Sequence, residues 1–383
     1  MGLRCAIVPP TPVPYREPLF RALNERPELE VRVIYQSAGQ PSWDVAADWF
    51  PREHPYPAVH LRARQRRREG RTPVVLPRGL EPALRRADPD CVVVWEYGAA
   101  SLRALAWCRR HRRAYVIFTE CTPMIDSMLP GWQLALHRRL ARQADGVIAA
   151  SSAARERLRA FGVPDERITV ALQAADVQPF RAAPARPGEG PVTVLSVGRL
   201  VPDKNFATLI GAVPADAELE IVGTGPLQDE LRQLADRLEV RVRFHGHVPP
   251  DELPGLYATA DVYALVSTYE PFGVAVREAA AAGLPIVCSR GAGAAGDVAV
   301  EGRNAFLVDP LDRRVIADTL SRLASDPELR ARMGAESRAI DRETGGVEVD
   351  AFAEAVIAAA RRYSPSRAGS TSARSRATEA SGR

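Results

Sequence analysis

The stretch DVYALVSTYEPFGVAVREAAAAGLPIV, residues 261–287, decides the fold. Residues 262–266 form a short apolar run that reads as a buried strand, closed by a polar turn at Ser267 and Thr268. A helix is predicted beyond that turn. Pro271 suits a first helical position, where its missing N–H costs nothing, and Ala275 and the four alanines at 279–282 are strong helix formers. Gly283 fits a left-handed C-cap, and Pro285 blocks continuation. Strand, turn and helix thus carry Glu270 in the turn and Glu278 about two turns into the helix. Both carboxylates lie near a helix N-terminus, where the free N–H groups of residues 271–274 point at whatever binds.

Upstream and downstream, buried strands alternate with helices. The second half reads as strands at 192–197, 219–222, 240–244, 262–266, 285–288 and 305–308, with helices at 205–213 and 227–238 between the early ones. The first half repeats the pattern with strands at 4–8, 31–35, 91–95, 114–118 and 146–149. Continuous apolar strands alternating with helices imply parallel, doubly wound sheets, so the chain is read as α/β with two such domains facing across a cleft. The expected boundaries are 1–181 for the first domain, 182–191 (AAPARPGEGP) for a linker and 192–345 for the second. A C-terminal helix is expected at 346–363 and a disordered tail at 364–383, which lacks large apolar residues. Residues 36–75 are poorly periodic and studded with arginine, and read as a mobile surface region.

The bulk properties narrow the function classes. The chain has 383 residues, too many for one ordinary core. No apolar run approaches the roughly 20 residues of a membrane span, and the start MGLRCAIVPP reads as a first strand and not a signal peptide. Five scattered cysteines without C-x-x-C spacing suit a reducing cytoplasm. The net charge of +4 conceals an asymmetry: residues 1–190 carry 29 basic and 20 acidic side chains, residues 191–363 carry 18 and 26. A basic first half suits a phosphorylated acceptor or peripheral contact with an anionic membrane at its inner face. No nucleic-acid motif accompanies it, so no nucleic-acid partner is expected. Of the 51 basic side chains only Lys204 is a lysine, which marks a position where a compact, flexible point charge is needed.

Several predicted turns of the second domain carry chemistry suited to a diphosphate. The turn Val197-Gly198-Arg199-Leu200 followed by Asp203-Lys204-Asn205 sets a guanidinium and an ammonium five residues apart across a strand-to-helix turn. Val222-Gly223-Thr224-Gly225-Pro226 ends the next strand with two glycines that let a ligand approach the backbone. Gln228 stands where a dinucleotide fingerprint would have its third glycine, and the opening β-α-β lacks that fingerprint too, which argues against an oxidoreductase. Phe244-His245-Gly246-His247-Val248 closes a further strand. Its histidines have no Cys or carboxylate at metal spacing, so no metal is expected.

Taken with Glu270 and Glu278, these motifs resemble the nucleotide-sugar glycosyltransferases of GT-B fold, specifically the large retaining family 4. The resemblance is specific in residues 192–310, where GRL, DKN, GTGP, HG, EPFGVAVRE, AAGLPIV and GRNAFLVDP occur in the family's order; in the first domain it is architectural. The resemblance implies a donor UDP- or GDP-sugar and a glycan, lipid-linked or small-molecule acceptor, with retention of anomeric configuration. Arg199 and Lys204 would hold the donor diphosphate, Glu278 the ribose, and Glu270 with the N–H groups of Phe272 and Gly273 the sugar. Gly198, Val274, Gly223 and the segment from His245 to Val248 would complete the donor pocket.

The first domain departs from the family pattern. It has PPTPVPYRE where relatives have a glycine-rich loop, and Thr119-Glu120-Cys121 where they have a histidine. Glu120 is therefore a candidate for the polar contact at the reacting carbon, and Tyr15, Arg16, Glu96, Tyr97 and Thr119 are acceptor-side candidates. A GT-B epimerase or hydrolase, or a non-catalytic nucleotide-binding protein at a membrane surface, stay open as alternatives.

Overall fold

The computed structural model describes residues 2–39, 50–68, 71–183 and 190–363. The first domain contains strands β1 (Leu3–Val8), β2 (Leu29–Tyr35), β3 (Ala58–His60), β4 (Arg62–Arg68), β5 (Arg71–Arg78), β6 (Cys91–Trp95), β7 (Ala114–Thr119), β8 (Gly146–Ala149) and β9 (Ile168–Val170). The second contains β10 (Val192–Val197), β11 (Ala217–Val222), β12 (Val242–Gly246), β13 (Val262–Leu265), β14 (Ile286–Ser289) and β15 (Ala305–Val308). Two all-parallel sheets result, ordered β3-β2-β1-β6-β7-β8-β9 and β12-β11-β10-β13-β14-β15. Both are Rossmann-like and doubly wound. The order reverses between β1 and β6 in one sheet and between β10 and β13 in the other, and ligands of such sheets sit beyond the strand carboxyl ends at that reversal.

The decisive stretch folds as a strand and helix, with one shift. The helix is Val274–Ala282 and does not begin at Pro271. Gly273 precedes it in the left-handed region at φ +96, and the loop before it is pinned by Gly293 N–H donating to Glu270 O (3.2 Å) and Ala294 N–H to Phe272 O (2.8 Å). A side chain at residue 293 would meet Pro271 O at 2.0 Å, so only glycine lets the two loops lie this close. Glu278 is accordingly the fifth helical residue. Gly283, at φ +81, caps the other end as expected.

Residues 36–75 contain more order than their sequence suggests. Residues 58–60 extend the first sheet, and β4 and β5 pair as an antiparallel ribbon from Arg62 opposite Arg78. Two-stranded pairing needs β-compatible residues such as Val75 and Leu76, whose signal the many arginines of the facing strand obscure. Residues 40–49, most of the linker and the tail lie outside the described residues.

Residues 175–180, assigned by sequence to the first domain, pack in the second: Ala175, Val177 and Phe180 join Tyr257, Phe272 and Val276 in its core. Conversely, the C-terminal helix Val347–Arg361 lies on the first domain. Phe352, 1 % exposed, sits beside Trp95 and Phe118, whose rings stack at 3.9 Å, with its own ring 6.3 and 6.2 Å from theirs. Phe352→Ala is expected to destabilise the first domain by about 3–5 kcal/mol, the range for a buried aromatic. A denaturant melt followed by tryptophan fluorescence reads this directly.

Candidate active site

At the second sheet's reversal the turn after β10 and the loop after β13 are joined by backbone and side chain. Thr268 donates its N–H to Asp203 O (2.8 Å), and Asn205, left-handed at φ +54, donates from Nδ2 to Val266 O (3.1 Å) and Pro310 O (2.8 Å). These contacts bring Lys204 onto Glu270. The Lys204 ammonium pairs with Glu270 Oε2, and Ser267 Oγ reaches the same oxygen at 3.3 Å. Glu270 is 7 % exposed. The Lys204 chain lies across Gly198, whose absent Cβ would be 3.6 Å from it. An ammonium has three donors, so the pair leaves two of them for another anion.

The neighbouring glycine loop is equally close-fitted. Gly198 N–H donates to Val222 O (2.9 Å) and Leu200 N–H to Thr224 O (2.8 Å), carrying half-buried Arg199 between them. A Cβ at Gly223, which sits at φ +133, would be 2.0 Å from Gly198 O. Among the described residues, no protein acceptor takes the N–H of Phe272 or of Gly273. Phe272 itself is buried in the core, so what it offers the cleft is its backbone.

Glu278 has a partner that its motif did not disclose: Tyr257, buried on the helix Leu253–Thr259, donates its hydroxyl to Glu278 Oε2 at 2.7 Å. Burial raises the Glu278 pKa to about 7, with the Tyr257 bond opposing the rise. His245 is likewise anchored. Its Nε2 lies 3.1 Å from Glu220 Oε2, a buried carboxylate on β11 that also takes Arg243 at 3.1 Å. Half-buried Val248 packs against the second core.

The opposite wall is built at the first sheet's reversal. Glu120 Oε1 accepts from Arg16 Nη2 (2.9 Å) and Trp95 Nε1 (3.2 Å), and from the Gln173 amide (3.2 Å) when its oxygen is turned to Arg16 Nε. All three donors meet one oxygen. Glu120 Oε2 takes none among the described residues, and the side chain is 18 % exposed. Arg16 also stacks over Tyr15 and Trp95 at 5.2 and 5.1 Å. Tyr15 feels both Glu120 and Glu270, and its hydroxyl pKa is raised mainly by burial. Tyr269, from the second domain's loop, is shifted upward by burial and then by Cys121, Glu96 and Glu120 of the first.

Three residues expected on the acceptor side, Thr119, Tyr97 and Glu96, are engaged in contacts within the first domain. Thr119 is fully buried and donates its hydroxyl to Glu96 Oε2 (2.8 Å), and Tyr97 is buried against the His137 ring at 4.4 Å. Glu96, left-handed at φ +58, accepts from the Glu120 N–H (2.5 Å) and Cys121 Sγ (3.1 Å), so it braces the Glu120 loop. Its pKa is raised by burial and by the nearby Glu120 charge.

The two walls are linked through Arg277, 2 % exposed and next to Glu278 on the helix. It donates from Nη1 to Gln173 O (2.7 Å) and to Glu348 Oε1 (3.1 Å) of the C-terminal helix. Ser152 adds a second link, donating N–H (2.7 Å) and Oγ (2.6 Å) to Asp297. Among the described residues no group of three His, Cys, Asp or Glu side chains is disposed to hold a metal.

Known proteins resemble this chain over both domains. Residues 19–178 match the model of Glycosyltransferase Family 4, and residues 178–340 that of Glycosyl transferases group 1. A GDP-mannose-dependent alpha-(1-6)-phosphatidylinositol monomannoside mannosyltransferase of Mycobacterium tuberculosis is 33 % identical over 278 residues, 66 % of this chain and 71 % of that one. A D-inositol 3-phosphate glycosyltransferase of Corynebacterium glutamicum is 34 % identical over 201 residues, 46 % of this chain and 48 % of that one. Among solved structures, Anabaena HepE in complex with UDP superposes with TM-score 0.75 at 22 % identity, covering 92 % of this chain and 99 % of that one. Together with the two sheets and their shared cleft, these matches establish that the chain belongs to the family 4 glycosyltransferases of GT-B fold.

Proposed function

We propose that the protein is a retaining, metal-independent hexosyltransferase that takes a sugar from a UDP- or GDP-sugar and passes it to a hydroxyl group held by the first domain. The acceptor belongs to the glycans, lipid-linked glycans or small hydroxylated molecules. The observation that carries this reading is the joining of Lys204 and Glu270 at the second sheet's reversal, across the cleft from Glu120. Related proteins that act on GDP-mannose or bind UDP support the donor class.

In this reading Arg199 and Lys204 meet the donor diphosphate and offset the charge that grows on it as the sugar–phosphate bond breaks, work that a metal does elsewhere. Glu270 orients Lys204 and, with the N–H groups of Phe272 and Gly273, holds the sugar. Glu278 Oε1 accepts from the ribose while Tyr257 holds Oε2. Gly223 and the His245 turn border the base. The acceptor oxygen bonds to the anomeric carbon on the face from which the diphosphate leaves. Its proton passes to the departing phosphate oxygen, so configuration is retained. Glu120 Oε2 accepts from the incoming hydroxyl and orients it.

Lys204→Ala and Arg199→Ala are each expected to lower kcat/KM for the donor by about 10²–10³-fold, or about 3–4 kcal/mol of transition-state stabilisation. Turnover at the wild-type level in either variant overturns the diphosphate assignment. Chelation with EDTA is expected to leave turnover unchanged, since the charges are met by guanidinium and ammonium groups.

Glu278 adds a pH dependence whose sign is fixed. Ribose hydroxyls favour the carboxylate, whereas burial pushes the Glu278 pKa up to about 7. Donor affinity is therefore flat above that pH and weakens as the pH falls below it, by up to roughly tenfold per unit. Calorimetric titration with the nucleotide-sugar between about pH 5.5 and 8.5 reads this slope. Glu278→Gln is expected to bind weakly throughout and to show no slope.

A further inference from the structure

We propose that Tyr257 is a positioning residue for the donor: its hydroxyl holds Glu278 as a carboxylate, with Oε1 left for the ribose. This role rests on the proposed function of Glu278 as the ribose partner and deepens it. Tyr257 lies on the helix Leu253–Thr259, which packs against the helix Val274–Ala282 that carries Glu278. It is fully buried, and its hydroxyl lies 2.7 Å from Glu278 Oε2 and 3.5 Å from Ala275 O. One phenolic proton thus faces two acceptors on the same helix, and the shorter bond goes to the carboxylate. Bonds to an ionised oxygen are among the strong ones.

Packing fixes the ring from which that hydroxyl projects. Phe180, on the short helix Gln178–Ala182 of the crossover, meets it edge-on at 5.0 Å and 84°, and Tyr263 on β13 stacks against it at 5.7 Å and 17°. All three rings share one core cluster with Val276 of the Glu278 helix. The charged groups nearby are turned elsewhere. Arg277, the chain neighbour of Glu278, donates to Gln173 O and Glu348, Arg181 of the crossover pairs with Asp341, and Arg338 of the helix Pro327–Thr344 reaches Ala282 O at the far end. Lys204 is paired with Glu270. Tyr263 feels the charges of both Glu278 and Glu270, but burial holds its phenol neutral where Glu278 titrates. Among the described residues the Tyr257 hydroxyl is thus the one side-chain donor that favours the charged form of Glu278.

Burial by itself works against the donor, because it pushes Glu278 toward the neutral acid, which offers ribose hydroxyls a weaker acceptor. The Tyr257 bond opposes that push, since it is made to the charged form. It also occupies Oε2, so the oxygen left for the ribose is Oε1. Without the hydroxyl the carboxylate forms about one to two pH units higher, the worth of one hydrogen bond to a charged group. Donor affinity then drops near neutral pH and recovers in alkali. A tyrosine that served packing alone has no such signature, because phenylalanine fills the same space.

The test is Tyr257→Phe in the full chain. In ligand-free protein with isotope-labelled glutamate carboxyls, the Glu278 NMR resonance is assigned by its loss in Glu278→Gln. Its midpoint is expected to lie about one to two pH units higher in Tyr257→Phe than in wild type. Tyr263→Phe, which removes a hydroxyl from the same stack, is expected to leave the midpoint in place. Calorimetric titration with UDP and with GDP is expected to show Tyr257→Phe binding about tenfold more weakly than wild type at about pH 7, and within about twofold of it at about pH 9. A midpoint unchanged by Tyr257→Phe, a weakening equal at every pH, or a shift as large in Tyr263→Phe each overturns the proposal. A pH dependence of binding that is the same in wild type and Glu278→Gln overturns the ribose assignment of Glu278, and the proposal with it.

Discussion

One buried guanidinium holds the two halves of this molecule in register. Arg277 lies on the helix that carries Glu278, yet its partners are the Gln173 carbonyl in the crossover and Glu348 on the returning helix. A charge this deep is tolerated only with partners in place, and losing one leaves it uncompensated. Gln173 in turn spans Arg16 and Glu120 with its side chain. Arg277 and Gln173 therefore connect the helix that carries Glu278 on one wall to the Glu120 carboxylate on the other. The spacing of the two walls follows from that connection, because no single domain contains both sides.

The sheets were readable because parallel strands covered on both faces are continuous apolar runs. CVVVW at Cys91–Trp95, VTVLSV at Val192–Val197 and AFLV at Ala305–Val308 cannot be amphipathic surface elements, and each became a strand with those bounds. Segments whose burial is partial were harder. The edge strand Ile168–Val170 is three residues long, and the helix Leu253–Thr259 opens with Leu-Pro-Gly, which locally resembles a turn. The ribbon of β4 and β5 owes its order to pairing across a turn, a contact that composition does not encode.

The site divides along the same line. Residue types and loop positions were legible, since a lone lysine beside Gly-Arg-Leu and two glutamates around Pro-Phe-Gly announce their chemistry locally. Which group meets which was not. Lys204 and Glu270 are 66 residues apart, Tyr257 and Glu278 are 21, and Arg16 and Glu120 are 104. Such pairings come from strand order. Thr119 and Tyr97 show the converse: both follow strand ends, as ligand contacts do, but packing turned one toward Glu96 and the other beneath His137.

The returning helix has a consequence for biosynthesis. One face of the first sheet is completed by Phe352, Val356, Ala359 and Ala360, which are translated after every residue of the second domain. The amino-terminal half therefore leaves the ribosome with Trp95, Phe118 and Ile148 uncovered on that face. Domains of a multidomain chain generally fold in order of synthesis, and exposed apolar surface invites aggregation meanwhile. In this chain the half made first must wait for the last segment made, so nascent polypeptide truncated before residue 347 carries a sheet with an open side.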